Sequence, residues 1–91
     1  FKYFPKSFYK LKELKELDLG YSPSINFNSF FKQIGQIKSL VNLEMHDSNI
    51  KTIHKNIGKL INLKELILFN NNIFYLPKSI GKLKSLEILN V

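Results

Sequence analysis

Apolar residues recur along this chain at a fixed interval. With Leu63 as position 1 of a 23-residue unit, they occupy positions 1, 4, 6, 11, 14, 18 and 21: Leu63, Leu66, Leu68, Ile73, Leu76, Ile80 and Leu83. The preceding unit fills the same slots with Leu40, Leu43, Met45, Ile50, Ile53, Ile57 and Leu60, and a further unit restarts at Leu86, Leu89 and Val91. Upstream come Leu14, Leu17 and Leu19, then Phe30, Ile34 and Ile37 counted back from Leu40, and Phe1, Phe4, Phe8 and Leu11 counted back from Leu14. Of these 28 slots 27 are apolar, where chance in a chain of this composition would fill roughly twelve. The chain therefore divides into a partial repeat at 1–13, repeats at 14–39, 40–62 and 63–85, and a partial repeat at 86–91, all in one domain.

The exception is Ser24. Its unit is 26 residues long, and Ile25 or Phe27 is expected to take the slot. The three extra residues fall in "YSPSINFNS", which carries Pro23 and reads as a bulged loop.

Each unit predicts the same local sequence of elements. "LKELIL" alternates with period two, so it predicts a short strand with Leu66 and Leu68 facing inward. "FNNN" is a turn signal. "PKSIGKL" has near-helical apolar spacing but is too short for a stable helix, which predicts a helical or 3₁₀ turn on the return. One such unit cannot bury both its faces; stacked units share a continuous core.

These segments, "LPKSIGKLKSLEILNV", "IHKNIGKLINLKELILFNNNI" and "FKQIGQIKSLVNLEMHDSNI", resemble the leucine-rich repeat family, in its 23-residue "LPxxIGxLxxLxxLxLxxNxL" type. The resemblance covers the whole chain. It implies an α/β solenoid, with curved parallel strands on a concave face and short helical or 3₁₀ turns on a convex face, truncated at both ends. It also implies a protein-interaction role, an inference from analogy of fold. In that family an Asn at position 9 bonds the backbone of adjacent turns. Asn71 fits, whereas Ser48 and Ser22 stand at the matching places. Surface or secreted bacterial proteins and intracellular signalling scaffolds both use this repeat type, so the sequence assigns no compartment.

Charge divides according to this frame. There are 14 lysines, no arginine and a net charge of +7. Six of the seven acidic residues, Glu16, Asp18, Glu44, Asp47, Glu65 and Glu87, fall at outward strand positions, with Glu13 the exception. Twelve of the lysines fall on the return arc, all but Lys15 and Lys64. Position 16 is lysine in every turn: Lys6, Lys32, Lys55 and Lys78. This column serves solubility, and it is also the candidate contact for an anionic surface such as lipid headgroups or a polyanion. Base-specific nucleic-acid readout is not expected without arginine and with an acidic groove.

On the strand face, Ile67 and Phe69 point outward on one strand and Ile88 on the next, with Val41 and Tyr21 further along and Glu44, Glu65 and Glu87 as a rim. That set, with His46, is the candidate site for a partner bearing an apolar anchor within a basic surround. His46 lies two residues from Glu44, a spacing that permits a metal ligand pair or an acid/base pair. With only two histidines in the chain, a solvated His46 and no metal site are expected. No Ser/His/Asp arrangement, phosphate loop or zinc spacing occurs, and "GKLK" at Gly58 and Gly81 belongs to the repeat. No catalytic centre and no cofactor are expected. The chain has no cysteine for a disulfide framework, no sequon, and no apolar run approaching the roughly twenty residues that span a bilayer. Neither end carries a polar capping segment. The expectation is a fragment of a longer repeat protein, or self-association through open ends.

Overall fold

The computed structural model describes residues 2–91; the slot assigned to Phe1 lies outside them. Four three-residue strands, β1 (Glu16–Asp18), β2 (Asn42–Glu44), β3 (Glu65–Ile67) and β4 (Ile88–Asn90), form one parallel sheet in chain order. The register puts Leu17 against Leu43, Leu43 against Leu66 and Leu66 against Leu89. Position 4 of every unit thus lies in one inward row. The ladder runs past the strand ends through Leu19 N–H to the Glu44 carbonyl (2.7 Å), Met45 N–H to Ile67 (2.8 Å) and Asp47 N–H to Phe69 (3.2 Å).

The return segments are 3₁₀ turns at Lys6–Lys10, Ile34–Gln36, Lys55–Lys59 and Lys78–Lys82. Three of them start from an extended residue, Pro5, His54 or Pro77. Its carbonyl closes the first i→i+3 bond with the N–H of Phe8 (3.0 Å), Ile57 (3.1 Å) or Ile80 (3.0 Å). Proline is preset for that place by its fixed φ; at His54 the ring Nδ1 instead accepts from the Asn56 N–H at 3.1 Å. The glycine of "NIGK" has a packing reason, because a Cβ on Gly58 would stand 2.7 Å from both the Cβ and the carbonyl oxygen of Ser79 in the next turn.

The "YSPSINFNS" stretch departs from the expected bulged loop. It turns through residues 20–25 and then enters an α-helix, α1 (Phe27–Gln33). Asn26 caps it, its Oδ1 accepting from the Ser29 N–H at 3.0 Å, which satisfies a donor left orphaned at a helix start. Phe27, Phe30, Phe31 and Ile34 follow at i, i+3, i+4 and i+7 and are buried, so the extra residues go into an amphipathic helix. Ile25 and Phe27 are both buried, filling the slot that Ser24 vacates.

The core is one cluster of these slots. In the unit 40–62 all seven slot residues are at most 3% exposed. At the first turn aromatic rings take over: Phe30 lies 5.7 Å from Phe4, Phe27 and Phe31, and Phe4 stacks on Phe8 at 4.4 Å. Leu11 was expected in this core, but it is 45% exposed, and Tyr9 at 3% is inside instead. The backbone explains the exchange, since Leu11 leaves its turn in an extended conformation with ψ 119°, whereas Leu60 and Leu83 leave theirs at 66° and 77°. Leu89 and Val91, at inward slots of the last unit, are also exposed.

Candidate functional site: the open strand face

Parallel sheets are normally covered on both faces. Here one face packs on the core, and the outward residues of the strands meet solvent or each other. The turn that follows each strand fixes this face. Position 8 is left-handed in three successive units, at Tyr21 (φ 58°), Asp47 (φ 54°) and Asn70 (φ 57°). Asn and Asp tolerate that region; a tyrosine there is strained. Just beyond, Asn71 Oδ1 accepts from the N–H groups of Ser48 (2.9 Å) and Ile50 (3.0 Å), while its Nδ2 donates to the carbonyls of Met45 (2.9 Å) and Leu68 (2.8 Å). One unit earlier, buried Ser48 does a smaller version of the same work: its Oγ accepts from the Ser22 N–H at 3.0 Å and reaches the His46 carbonyl at 2.9 Å. The position-9 ladder is thus continued by a shorter side chain.

On this frame Tyr21, His46 and Phe69 form a ladder of rings. His46 lies parallel to Phe69, with centroids 4.8 Å apart and planes 4° from parallel, and Tyr21 meets its other side edge-on at 4.9 Å and 89°. Asp47 Oδ2 sits 2.9 Å from His46 Nδ1. The His46 side chain is only 15% exposed, so the solvated histidine expected from sequence is instead a packed one. Gly20 makes this possible, since a Cβ there would fall 2.4 Å from His46 Nε2.

Beside the rings lies a strip of carboxylates. Asp18 and Glu44 are direct cross-strand neighbours, and Asn42 pairs in register with Glu16 and Glu65. Asn42 Nδ2 donates to Glu65 Oε2 at 3.1 Å, while its Oδ1 is shielded from solvent with no partner. Burial pushes the Glu44 carboxyl above its usual range. The hydrogen bond and negative charge of Asp18 add to this, with Glu65 acting the same way and His46 opposing. Chemically, one oxygen each from Asp18 and Glu44 and one ring nitrogen of His46 lie within 4.8 Å of one another, a set of donors able to bind a cation.

Of the other sequence candidates, Ile67 lies across from Glu44, and Ile88 is exposed and sits beside Glu65 in register. Val41, half-buried, and Glu87, exposed, lie at the opposite end of the strands from the ring ladder. Lys6, Lys32, Lys55 and Lys78 are all exposed on the return arc.

A solved structure of a leucine-rich-repeat protein from Leptospira interrogans is similar to 98% of this chain, with a TM-score of 0.70 and 31% sequence identity. The chain is a leucine-rich-repeat array. The array spans 28% of the length of that protein. No protein-family model and no curated protein matches it. Among the described residues no helix of the array is long and apolar enough to cross a membrane.

Sequence reasoning missed one member of this site and one contact within it. Asp18 was assigned outward but not joined to Glu44; position 5 of neighbouring units was the available signal. The contact of Tyr21 with His46 depends on the left-handed backbone at position 8, signalled only by Asp47 and Asn70 in the other units.

Proposed function

We propose that the array holds a protein partner on its concave strand face, through Tyr21, His46, Phe69 and Ile67 together with Asp18, Glu44 and Glu65. The observation that carries this reading is the ring ladder alongside the carboxylate strip, on a sheet face that no element of the array covers. Exposed or half-exposed rings supply large contact area at low entropic cost. The carboxylates select lysine or arginine around the partner's apolar anchor, and a cation also gains from the face of Phe69 or Tyr21. Rigidity comes from the stacked core beneath, so little conformational entropy is lost on binding.

The test is selection from a displayed random-peptide library against the wild-type array and against Ile67→Ser/Phe69→Ser, whose circular dichroism reports folding. Peptides enriched on the wild type should carry basic residues around an apolar anchor, and the variant should not retain them. Peptides held equally by both proteins would place the binding elsewhere and sink this reading.

A further inference from the structure

The return arc, opposite the strand face, carries lysines in two columns. Position 16 supplies Lys6, Lys32, Lys55 and Lys78; position 20 supplies Lys10, Lys59 and Lys82, with Gln36 in the remaining place. All seven are exposed. None lies within ion-pair distance of a carboxylate among the described residues, where the one such contact is His46 with Asp47. Like charges in neighbouring turns repel. Solubility alone is served better by interspersed charges of both signs, which avoid that cost.

Between the 3₁₀ turns Lys55–Lys59 and Lys78–Lys82 the two columns enclose a cleft of about 520 Å³, lined by Lys55, Lys59, Lys78 and Lys82 together with Asn56, Gly58 and Ser79. Four lysines on one cleft give it a surplus of donors, which an anion with several acceptor oxygens would satisfy.

We propose that this cleft and its columns bind an anionic polysaccharide, with one sulfate or carboxylate group seated among Lys55, Lys59, Lys78 and Lys82 and the sugar chain lying along the stack. The columns favour a linear ligand, because a flexible chain can follow lysines that recur turn by turn along the stack. The lining favours sugar over nucleic acid. The cleft holds no aromatic ring or arginine on which a base would stack, and it offers lysine methylenes to a sugar ring. The site is separate from the strand face.

The experiment is fluorescence anisotropy with a labelled, heparin-type sulfated oligosaccharide at 50 and 200 mM NaCl. The wild-type array should bind it, with affinity falling about tenfold or more between the two salts, as release of counterions requires. Lys55→Gln/Lys78→Gln should weaken binding about tenfold. Lys15→Gln/Lys64→Gln removes the same charge from the strand side and should weaken it less than about twofold. Ile67→Ser/Phe69→Ser should cost nothing, so failure of the strand-face reading leaves this test intact. Equal losses in the two lysine pairs would reduce the effect to net charge and overturn the proposal. So would no binding at 50 mM NaCl. Tighter binding to a single-stranded oligonucleotide of matched charge, or to phosphatidylserine vesicles, would overturn it in favour of that ligand.

Discussion

On the strand face several polar side chains are held in place: Asn42 by Glu65, His46 by Asp47 and two rings, Ser48 and Asn71 by the backbone of two turns. On the return arc the lysines extend from short 3₁₀ turns and touch no carboxylate among the described residues. The two surfaces belong to different stretches of the same repeat and rest on one core. The difference lies in how each spends its polar groups. Fixed geometry on the strand face suits discrimination among partners, whereas exposed ammonium groups produce a field that acts before contact and weakens with salt.

The core that joins the faces gives the largest effect. Leu66 is fully buried under β3, and Leu66→Ala should lower stability by about 2–5 kcal/mol through the cavity it leaves. Lys55→Ala on the arc should cost less than about 0.5 kcal/mol. Urea denaturation of the two variants checks the pair; comparable losses would show that the inward row of leucines is not the core. Next comes the turn stitching beneath the strand face. Asn71→Ala strands two N–H groups and two carbonyls in adjacent turns and should cost about 1–3 kcal/mol. Ser48→Ala, which removes a shorter side chain with fewer bonds, should cost less. Thermal melts of both variants decide the order.

That contrast also marks how far the sequence could be read. Strand positions, the inward rows and the segregation of charge follow from a spacing that repeats, so each unit confirms its neighbours. What lay beyond sequence breaks the repeat or crosses between units. The insertion near Pro23 looks like a loop until Asn26 is seen as a cap and Phe27, Phe30, Phe31 and Ile34 as one helical face. Leu11 sits at a correct slot number, but its turn ends with different backbone angles, and Tyr9 takes its place inside. The packed state of His46 needed three neighbours from three different units: Phe69 shares its position one unit on, but Tyr21 and Asp47 come from the next position along, where the backbone turns left-handed.

The electrostatics of the strand face can be probed through Glu44. Folding raises its pKa above the ordinary 4.5, chiefly by burial and then by Asp18. The folded state therefore holds the Glu44 proton more tightly than the unfolded chain does. Its contribution to stability is present in full below the unfolded value and is lost as the pH rises through the folded one. Glu44→Gln should then stabilise the array by a few tenths of a kcal/mol at neutral pH, because the site is partly open to solvent. The gain should vanish below about pH 4. Melts at pH 4 and pH 7 test this. A gain that did not depend on pH would mean that the charge of Glu44 is not its source.

The smallest change in stability should come from the residue that best tells the two faces apart in function. Tyr21 holds a left-handed backbone conformation that costs a bulky L-residue about 1–2 kcal/mol, and its edge-on contact with His46 returns about 0.5–1.5 kcal/mol. Asparagine occupies the same position at Asn70 with nearly the same φ. In Tyr21→Asn the relief of strain and the loss of the ring contact oppose each other, so stability should move by less than about 0.5 kcal/mol. Tyr21 is 75% exposed, and a strained, exposed ring is costly to keep if its only work is structural. Peptides selected on the strand face should lose affinity for Tyr21→Asn, while oligosaccharide binding on the arc should stay within about twofold, the two surfaces lying beyond screening distance. A variant that melts several degrees lower would show the ring to be structural; one that keeps both its stability and its peptide affinity would remove Tyr21 from the site.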